Sequence, residues 1–311
     1  MQKPWSDVVS SILASQDGLA TRQDLLRHVP RTVVDGMVER GQLLRVFPHV
    51  YTARGNPAAG DRRLRAALLS VGPHAALSHR TALAVRGLVE HAGAVHVVVD
   101  HRRRQAGSHD LQVHRRQGFA DDPDAVETVR GLRVTALADS LVDAWPGLPR
   151  PVRRPVLLDA VRRTALAPEC LGAAARRRPN IGGHRALART IALVGDGVTS
   201  ELEALGVEQV FRHRSLPRSR GQLPVLCSDG VTRRLDRAWQ EAMLAVELDG
   251  AAFHTSPEDR QRDLHRDAVL ASMGWLVLRF TYAEVLRDPE GVRAKVLAVY
   301  RIRVAQLRTA A

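Results

Sequence analysis

Apolar residues recur at helical spacing near the start of the chain. The segments 8–15 and 31–40 each carry such a stripe, and between them Thr21 can cap a helix together with Asp24, three positions later. Apolar and polar residues then alternate over 42–53, the pattern of a two-stranded hairpin. This part of the chain is predicted to fold as three short helices followed by a β-hairpin.

Three helices and a hairpin in this order are typical of a winged helix-turn-helix domain, whose third helix enters the major groove of DNA. GLATRQDLL (18–26) and RGQLLRVFPHVYTARG (40–55) resemble the N-terminal domain of the AbiEi-type antitoxins, which act as winged-helix repressors. The alternative is a winged-helix interaction module with a solvated basic face. The candidates for DNA contact are Arg31, Thr32 and Asp35 on the third helix and Arg45, His49 and Arg54 on the hairpin.

The middle of the chain mixes helical and strand patterns. Amphipathic helices are predicted over 61–72 and 79–88, strands over 95–100 and 111–116, and a strand that enters a helix over 132–145. The segment is similar to the middle region of AbiEi-like proteins, and no chemistry follows from that resemblance.

Two features of this middle region have both a functional and a structural interpretation. His79 and His96 are not linked by metal-ligand spacing, so structural histidines are expected. The arginine clusters 102–104 and 176–178 give weak support for phosphate binding, since a charge run is more often a solvated loop.

The C-terminal pattern predicts a helix, a three-strand meander, a helix, a strand and a final helix. Ser200 with Glu203 forms a capping box, and Asp229 with Gly230 is compatible with a type I′ turn between the first two strands. In the third strand, 242–250, apolar residues alternate with acids, so Glu247 and Asp249 are expected to project from one face. Carboxylates on rigid strands suit Mg²⁺, although a surface strand with solvated acids has the same pattern.

That order of elements resembles the restriction-endonuclease-like PD-(D/E)xK core. RLDRAW (234–239), AVELDGAAFH (245–254) and GWLVLRFT (274–281) resemble more closely a nuclease-like family related to the very-short-patch-repair (Vsr-like) endonucleases. In that family a histidine follows the Asp-Gly aspartate by five residues, as His254 follows Asp249.

The resemblance implies roles for individual residues. Asp236 would be the principal ligand of Mg²⁺ or Mn²⁺, Glu247 or Asp249 would complete the metal site, and His254 would handle the proton of the attacking water. Glu201, or its neighbour Glu203, would be the acid contributed by the preceding helix. The lysine usual in PD-(D/E)xK enzymes is missing, and the cations of the next helix are Arg260, Arg262 and Arg266. Asp259, Asp263 and Asp267 on that helix can also be read as a salt-bridged face.

The composition gives the chain a strongly positive net charge. The 311 residues include 46 basic and 33 acidic ones, for a net charge of +13, which favours a polyanionic partner. Lys3 and Lys295 are the only lysines, and this arginine bias suits phosphate contacts but would also follow from a GC-rich genome. Cys170 and Cys227 form no CxxC pair, which argues against a zinc ribbon and a disulfide scaffold.

The sequence therefore predicts an α/β protein of the α+β multidomain type. Its expected parts are a winged helix-turn-helix domain over 1–55, a mixed α/β middle region over 56–195 and a restriction-endonuclease-like domain over 196–311. A cytoplasmic protein is expected, with DNA as partner, no membrane association and no small-molecule cofactor. The expected function is metal-dependent DNA endonuclease activity. The alternative is a non-catalytic, antitoxin-like transcriptional repressor with a degenerate nuclease domain, and the phosphodiester of RNA stays open as a third substrate class.

Overall fold

A computed structural model describes the backbone of residues 5–104, 106–249 and 257–310, and their side chains except those of 249, 257–260, 263 and 310. The protein is an α+β protein with mixed sheets. It forms two compact units, of which unit 1 comprises Met1–Pro149 with Ala174–Gly183, and unit 2 comprises Arg150–Ala173 with His184–Ala311.

The N-terminal part of unit 1 has the three helices and the hairpin that the apolar pattern predicts. Thr21 and Asp24 cap the second helix reciprocally, as expected from the sequence. Three strands form a sheet in the order β1-β3-β2, with antiparallel pairing throughout. The elements are α1 (Trp5–Ser15), β1 (Ala20–Thr21), α2 (Arg22–Leu26), α3 (Arg31–Glu39), β2 (Leu43–Phe47) and β3 (Val50–Ala53).

The rest of unit 1 is a five-stranded mixed sheet with helices. The strand order is β6-β5-β4-β8-β7, in which β5 runs parallel to β6 and β4 parallel to β8. Val95, Val97 and Val99 alternate into a core that also contains Phe47 and Leu64, so one apolar cluster joins the hairpin to this sheet. The elements are α4 (Gly60–Val71), β4 (Ala76–Leu77), α5 (His79–Val85), β5 (Val95–Asp100), β6 (Leu111–Arg116), β7 (Val126–Val129), β8 (Leu132–Thr135) and α6 (Leu137–Ala144).

Unit 2 is a four-stranded sheet with the order β12-β11-β10-β9. The predicted helix, meander, helix, strand and helix are confirmed, and β11 pairs with β12 in parallel because α11 connects them as a crossover. The helices are α7 (Arg150–Thr164), α9 (His184–Gly195), α10 (Glu201–Gly206), α11 (Pro257–Ser272), α12 (Tyr282–Arg287) and α13 (Pro289–Ala310). A further helix, α8 (Pro168–Arg176), begins in unit 2, and its last residues, from Ala174, belong to unit 1. The strands are β9 (Arg220–Leu226), β10 (Thr232–Trp239), β11 (Leu244–Asp249) and β12 (Leu276–Thr281).

The turn between β9 and β10 differs from the type I′ turn expected at Asp229 and Gly230. A type I′ turn needs positive φ at both central residues, whereas Gly230 has φ 76° and Asp229 is not in that region. The N–H of Gly230 donates to the carbonyl of Cys227, and the N–H of Cys227 donates to the carbonyl of Val231. The loop is therefore a three-residue hairpin with glycine in the left-handed position.

Strand β11 is covered on both faces. Leu244, Val246 and Leu248 are buried as expected, but Ala245 and Glu247 on the other face are buried as well. Ala245 packs in one core cluster with Leu270 of α11, which explains the cover on that face. In the part of the chain that the structure describes, no helix is both long enough and apolar enough to cross a membrane.

Candidate active site

Asp236 lies in the middle of the sheet of unit 2 and is held from two sides. Its Oδ2 accepts a hydrogen bond from the backbone N–H of Leu248 at 3.0 Å, and its Oδ1 accepts one from Nε2 of Gln222 at 3.0 Å. Arg237 pairs with Val246 in the antiparallel ladder, so Asp236 and Glu247 occupy neighbouring positions on adjacent strands. The first two acids of the predicted site thus belong to the same part of the sheet.

Gln222 connects Asp236 to a second acid, Glu203. Its Nε2 lies 3.4 Å from Oε2 of Glu203, so one amide stands between two carboxylates. Burial raises the pKa of Glu203, hydrogen bonds from Thr199 and Ser200 lower it, and the charge of Asp236 raises it. A cation placed near these acids would relieve that unfavourable charge pair.

The backbone around Gln222 is shaped for this close approach. Gln222 itself has φ 47°, in the left-handed region that a residue with a side chain seldom adopts. At the preceding position a Cβ on Gly221 would overlap the carbonyl oxygen of Asp196, so only glycine fits there. The turn after α9 and the start of β9 are therefore packed backbone to backbone. This packing restrains the backbone from which the Gln222 side chain extends.

Glu247 is buried, with 5% of its surface exposed. Its Oε1 accepts a hydrogen bond from Nη2 of Arg266 at 2.9 Å, and the same guanidinium donates to the carbonyl of Arg234. A solvated carboxylate on a surface strand is thus the wrong interpretation for Glu247. The ion pair compensates the cost of burying this charge.

The helix acid nearest to Asp236 is Glu203 rather than Glu201. The carboxylate of Glu201 forms an ion pair with Arg154 on α7, whose guanidinium also binds Glu208. These acids raise the pKa of Arg154 above its ordinary value. Glu203 is three residues from the N-cap Ser200, and both its backbone N–H and its carboxylate bind the Ser200 hydroxyl. Capping therefore holds the Glu203 carboxylate near the start of α10.

Three of the expected site residues fall partly or wholly outside the described set. His254 lies outside the described residues, and the side chains of Asp249 and Arg260 are not described. Of the neighbouring helix cations, Arg262 is exposed and Arg266 binds Glu247. Asp267 binds Arg279 at 2.8 Å, so this part of the acidic stripe is a salt-bridged face.

A basic cleft of about 1180 Å³ borders Gln222 in unit 2. The residues from 212 to 220, RHRSLPRSR, supply most of its charge, and this basic run between α10 and β9 is a sequence signal that lies outside the nuclease-like motifs. Burial lowers the pKa of Arg237, whereas the negative charges of Asp196 and Glu203 act to raise it. The arginines that line the cleft are Arg212, Arg214, Arg218, Arg220, Arg234 and Arg237.

The N-terminal candidates for DNA contact lie on the surface of unit 1. Arg31, Thr32, Arg45, His49 and Arg54 are exposed, which is the condition for contact with a duplex. His49 sits in the turn between β2 and β3 with φ 62°. Asp35 is bound to Arg22 at 2.6 Å, and that hydrogen bond lowers the pKa of Asp35.

The arginine clusters of the middle region take part in ion pairs within unit 1. Arg102 binds Asp100 and Asp121, and Arg177 and Arg178 bind Asp139. Burial alone would raise the pKa of Asp139, but the guanidinium groups around it lower the pKa below its ordinary value. Arg102, Arg177 and Arg178 therefore pair with acids of the same unit. Because these arginines already have partners, the two clusters give less support for phosphate binding than their sequence suggested.

The histidines of the middle region are closer together than their spacing suggested. His79 and His96 meet His114, and one nitrogen of each imidazole lies within 4.8 Å of the others. The fold brings these residues together from three separate elements, a proximity that their spacing in the sequence does not indicate.

Comparison with known proteins identifies the class of the C-terminal domain. The family model REase_MTES_1575 matches residues 230–299, so this part of the chain is restriction-endonuclease-like. Domains of that class typically depend on a divalent metal ion. The matched segment contains Asp236 and Glu247, together with α11 and β12.

Relatives that match most of the chain are found in Mycobacterium tuberculosis. The uncharacterized proteins MT2308 of strain CDC 1551 and Rv2248 of strain H37Rv are each 30% identical over 271 residues, which is 86% of this chain and 95% of the relative. The crystal structure of the RV2827C protein from the same organism matches with a TM-score of 0.45 and 17% identity, covering 72% of this chain and 89% of that one. Because MT2308 and Rv2248 are 30% identical to the chain over 86% of its length, the chain belongs to the family of these two uncharacterized proteins.

Proposed function

We propose that this protein is a metal-dependent DNA endonuclease that hydrolyses phosphodiester bonds at the sheet of unit 2. The observation that carries the proposal is the placement of Asp236 and Glu247 at neighbouring positions of adjacent strands, inside the restriction-endonuclease-like segment. Carboxylates that are held by hydrogen bonds on rigid strands are the arrangement that positions a metal for hydrolysis.

The residues present fit a hard divalent cation. Asp236 and Glu247 offer carboxylate oxygens. Burial and the charge of Asp236 raise the pKa of Glu203, and a nearby cation would favour the charged form of this carboxyl. Asp236 and Glu247, together with Asp249 by the resemblance, would hold Mg²⁺ or Mn²⁺. When bound, the ion would lower the pKa of an attacking water and stabilise charge on the phosphate.

The remaining polar groups would orient the acids. Gln222 fixes the rotation of the Asp236 carboxylate, and Arg266 fixes that of Glu247. His254 is proposed, on the resemblance to the Vsr-like endonucleases, to take the proton that the missing lysine would otherwise manage. The arginine cleft beside Gln222 would bind the phosphate backbone.

We further propose that the N-terminal helices and hairpin are a winged helix that binds duplex DNA. Arg31 and Thr32 at the start of α3 would meet the major groove, while Arg45, His49 and Arg54 would meet the backbone from the hairpin. The support is the order of the elements and the exposure of these side chains. The resemblance to AbiEi-type antitoxins points the same way.

A cleavage assay tests the catalytic proposal. Purified protein is incubated with supercoiled plasmid and either Mg²⁺, Mn²⁺ or EDTA, beside Asp236→Asn and the control Asp229→Asn, which removes a carboxylate from the hairpin turn of the same sheet. Nicking that needs the metal, is lost in Asp236→Asn and persists in Asp229→Asn is the expected result. Equal nicking by Asp236→Asn and the wild type would refute the proposal. Single-stranded RNA in a parallel arm decides between the two phosphodiester substrates.

One observation favours a second function, a DNA-binding repressor that does not cleave. Both oxygens of Asp236 are engaged by protein donors, and Glu247 is paired with Arg266, so a metal must compete with existing partners. A gel-shift assay in EDTA with DNA from the protein's own promoter addresses this function. Sequence-specific binding, together with no cleavage in either metal, would assign the protein to the repressor class.

A further inference from the structure

Three imidazoles meet on one face of the five-stranded sheet in unit 1. Strands β5 and β6 pair in parallel, with Val98 opposite His114, so the two-residue period of the strands places His96 and His114 on the same face. Val95 and Val97 occupy the opposite face, inside the apolar core. His79, the first residue of α5, completes the group from the helix side.

The three rings are in contact with one another. His96 Nδ1 and His114 Nε2 are 3.0 Å apart, and the ring centroids of His79 and His114 are separated by 3.7 Å. One nitrogen from each ring lies within 4.8 Å of the other two. Ligand nitrogens in a tetrahedral zinc site are about 3.4 Å apart, since each Zn–N bond is about 2.0–2.1 Å long. The ring planes lie within 20° of parallel, so the rings would have to turn for their nitrogen lone pairs to converge on one ion.

The three imidazoles lie in a partly buried environment that disfavours their charged form. Burial lowers the pKa of His79 to about 2 and that of His96 to about 4, and it also lowers the pKa of His114. Arg116 and Arg178 act on His79 in the same direction, whereas Asp143 acts on His114 in the opposite one. His96 Nδ1 and His114 Nε2 share a hydrogen bond, so one of these two nitrogens uses its lone pair as the acceptor and would have to exchange this partner for a metal ion.

His79 also opens onto a cavity of about 350 Å³ in unit 1. Asp143, Pro146, Arg178 and Ile181 line the same cavity, which leaves room for water at the edge of the triad. His79 has φ 51°, a conformation uncommon for a residue with a side chain. Such backbone strain is found where a side chain is held in a particular place.

We propose that His79, His96 and His114 form a binding site for a borderline transition-metal ion of the Zn²⁺ type, with its fourth position open to the cavity at His79. Imidazole ligands favour zinc and its neighbours over Mg²⁺, so this site is chemically distinct from the carboxylate site of unit 2. Three histidines with one open position is the ligand set of catalytic rather than structural zinc. The proposal does not depend on nuclease activity.

Metal binding to the full chain tests the site directly. The protein is prepared without a histidine tag, stripped with a chelator, dialysed against Zn²⁺ or Co²⁺ and assayed for bound metal. The variants are His114→Gln and His79→Asn, the latter because asparagine tolerates positive φ. The control is His109→Gln, which changes a fully exposed histidine of the same unit.

The expected result is about one metal ion per chain, with a Co²⁺ absorption spectrum typical of tetrahedral nitrogen ligation. His114→Gln and His79→Asn are expected to weaken binding by more than about 100-fold, since loss of a ligand costs more than loss of the groups that orient it. His109→Gln is expected to bind as the wild type does.

Circular dichroism identifies any variant that fails to fold. Metal binding is then compared with the wild type only for the variants, His114→Gln or His79→Asn, that are folded. Absence of stoichiometric metal in the wild type would overturn the proposal, and the triad would then be a hydrogen-bonded stack of neutral histidines. Binding that survives both substitutions would overturn it equally.

Discussion

The side-chain amide of Gln222 donates to Asp236 at 3.0 Å and lies 3.4 Å from Glu203, so a single amide separates two carboxylates of the candidate active site. The amide cannot move far, because the packing of Gly221 against Asp196 fixes the backbone on its N-terminal side. Gln222 is therefore a positioning residue for the proposed metal ligand.

Shortening this side chain is predicted to impair cleavage. Gln222→Asn tolerates the positive φ but withdraws the amide by one methylene group, so Asp236 loses its orientation. Cleavage is expected to fall by about 10- to 100-fold, the usual effect of removing a group that orients a metal ligand. DNA affinity in EDTA is expected to stay unchanged. Plasmid nicking beside the control Gln261→Asn on exposed α11 measures the effect, and equal rates in the two variants would contradict it.

Glu203 and Glu201 are predicted to respond differently to the same substitution. Glu203→Gln removes the acid next to Gln222, so it is expected to reduce metal-dependent cleavage while the protein remains folded. Glu201→Gln breaks a partly exposed ion pair with Arg154, so it is expected to lower the free energy of unfolding by less than about 1 kcal/mol and to spare cleavage. Nicking assays and urea unfolding on both variants check this. Loss of cleavage in Glu201→Gln alone would reverse the assignment.

Asp139 is predicted to make unit 1 sensitive to acid. Its pKa is below the ordinary value in the folded state, so its stabilising charge is fully present above about pH 3.9 and is lost as the pH falls through the folded pKa. Asp139→Asn leaves Arg178 without this partner and is expected to cost about 3 kcal/mol at pH 7. The difference in urea midpoint between wild type and variant should shrink below pH 4. A difference that is independent of pH would contradict the prediction.

The arginine cleft is predicted to carry much of the salt dependence of DNA binding. Arg218→Ala combined with Arg220→Ala should weaken affinity for any duplex, since contacts to phosphate do not read sequence. The slope of log affinity against log salt concentration should become shallower by about 0.9 for each phosphate that the variant no longer neutralises. Fluorescence anisotropy at several salt concentrations measures the slope. The matched control is Arg301→Ala with Arg308→Ala, at exposed positions of α13. An equal change of slope in both double variants would show that the cleft is not the surface that binds DNA.

Local chemistry was readable from the sequence in several places. The capping box of Thr21 and Asp24 forms as expected, because it depends on two residues three positions apart. The periods of the apolar residues located the hairpin of unit 1 and the strands around Asp236, since a helix or strand buries one face at a fixed spacing. The acids of β11 were likewise visible as an alternating pattern.

Contacts between distant segments were decided only by the tertiary structure. The choice of Glu203 over Glu201 depends on Arg154 and on Gln222, which lie 47 residues before Glu201 and 19 residues after Glu203. The histidine triad takes one residue from a helix and one from each of two strands, and no short spacing in the sequence links the three histidines. The burial of Glu247 follows from the packing of α11 over the sheet. Sequence periodicity specifies which face of an element is apolar, whereas the partner of a polar group on that element is set by which elements the folded chain brings beside it.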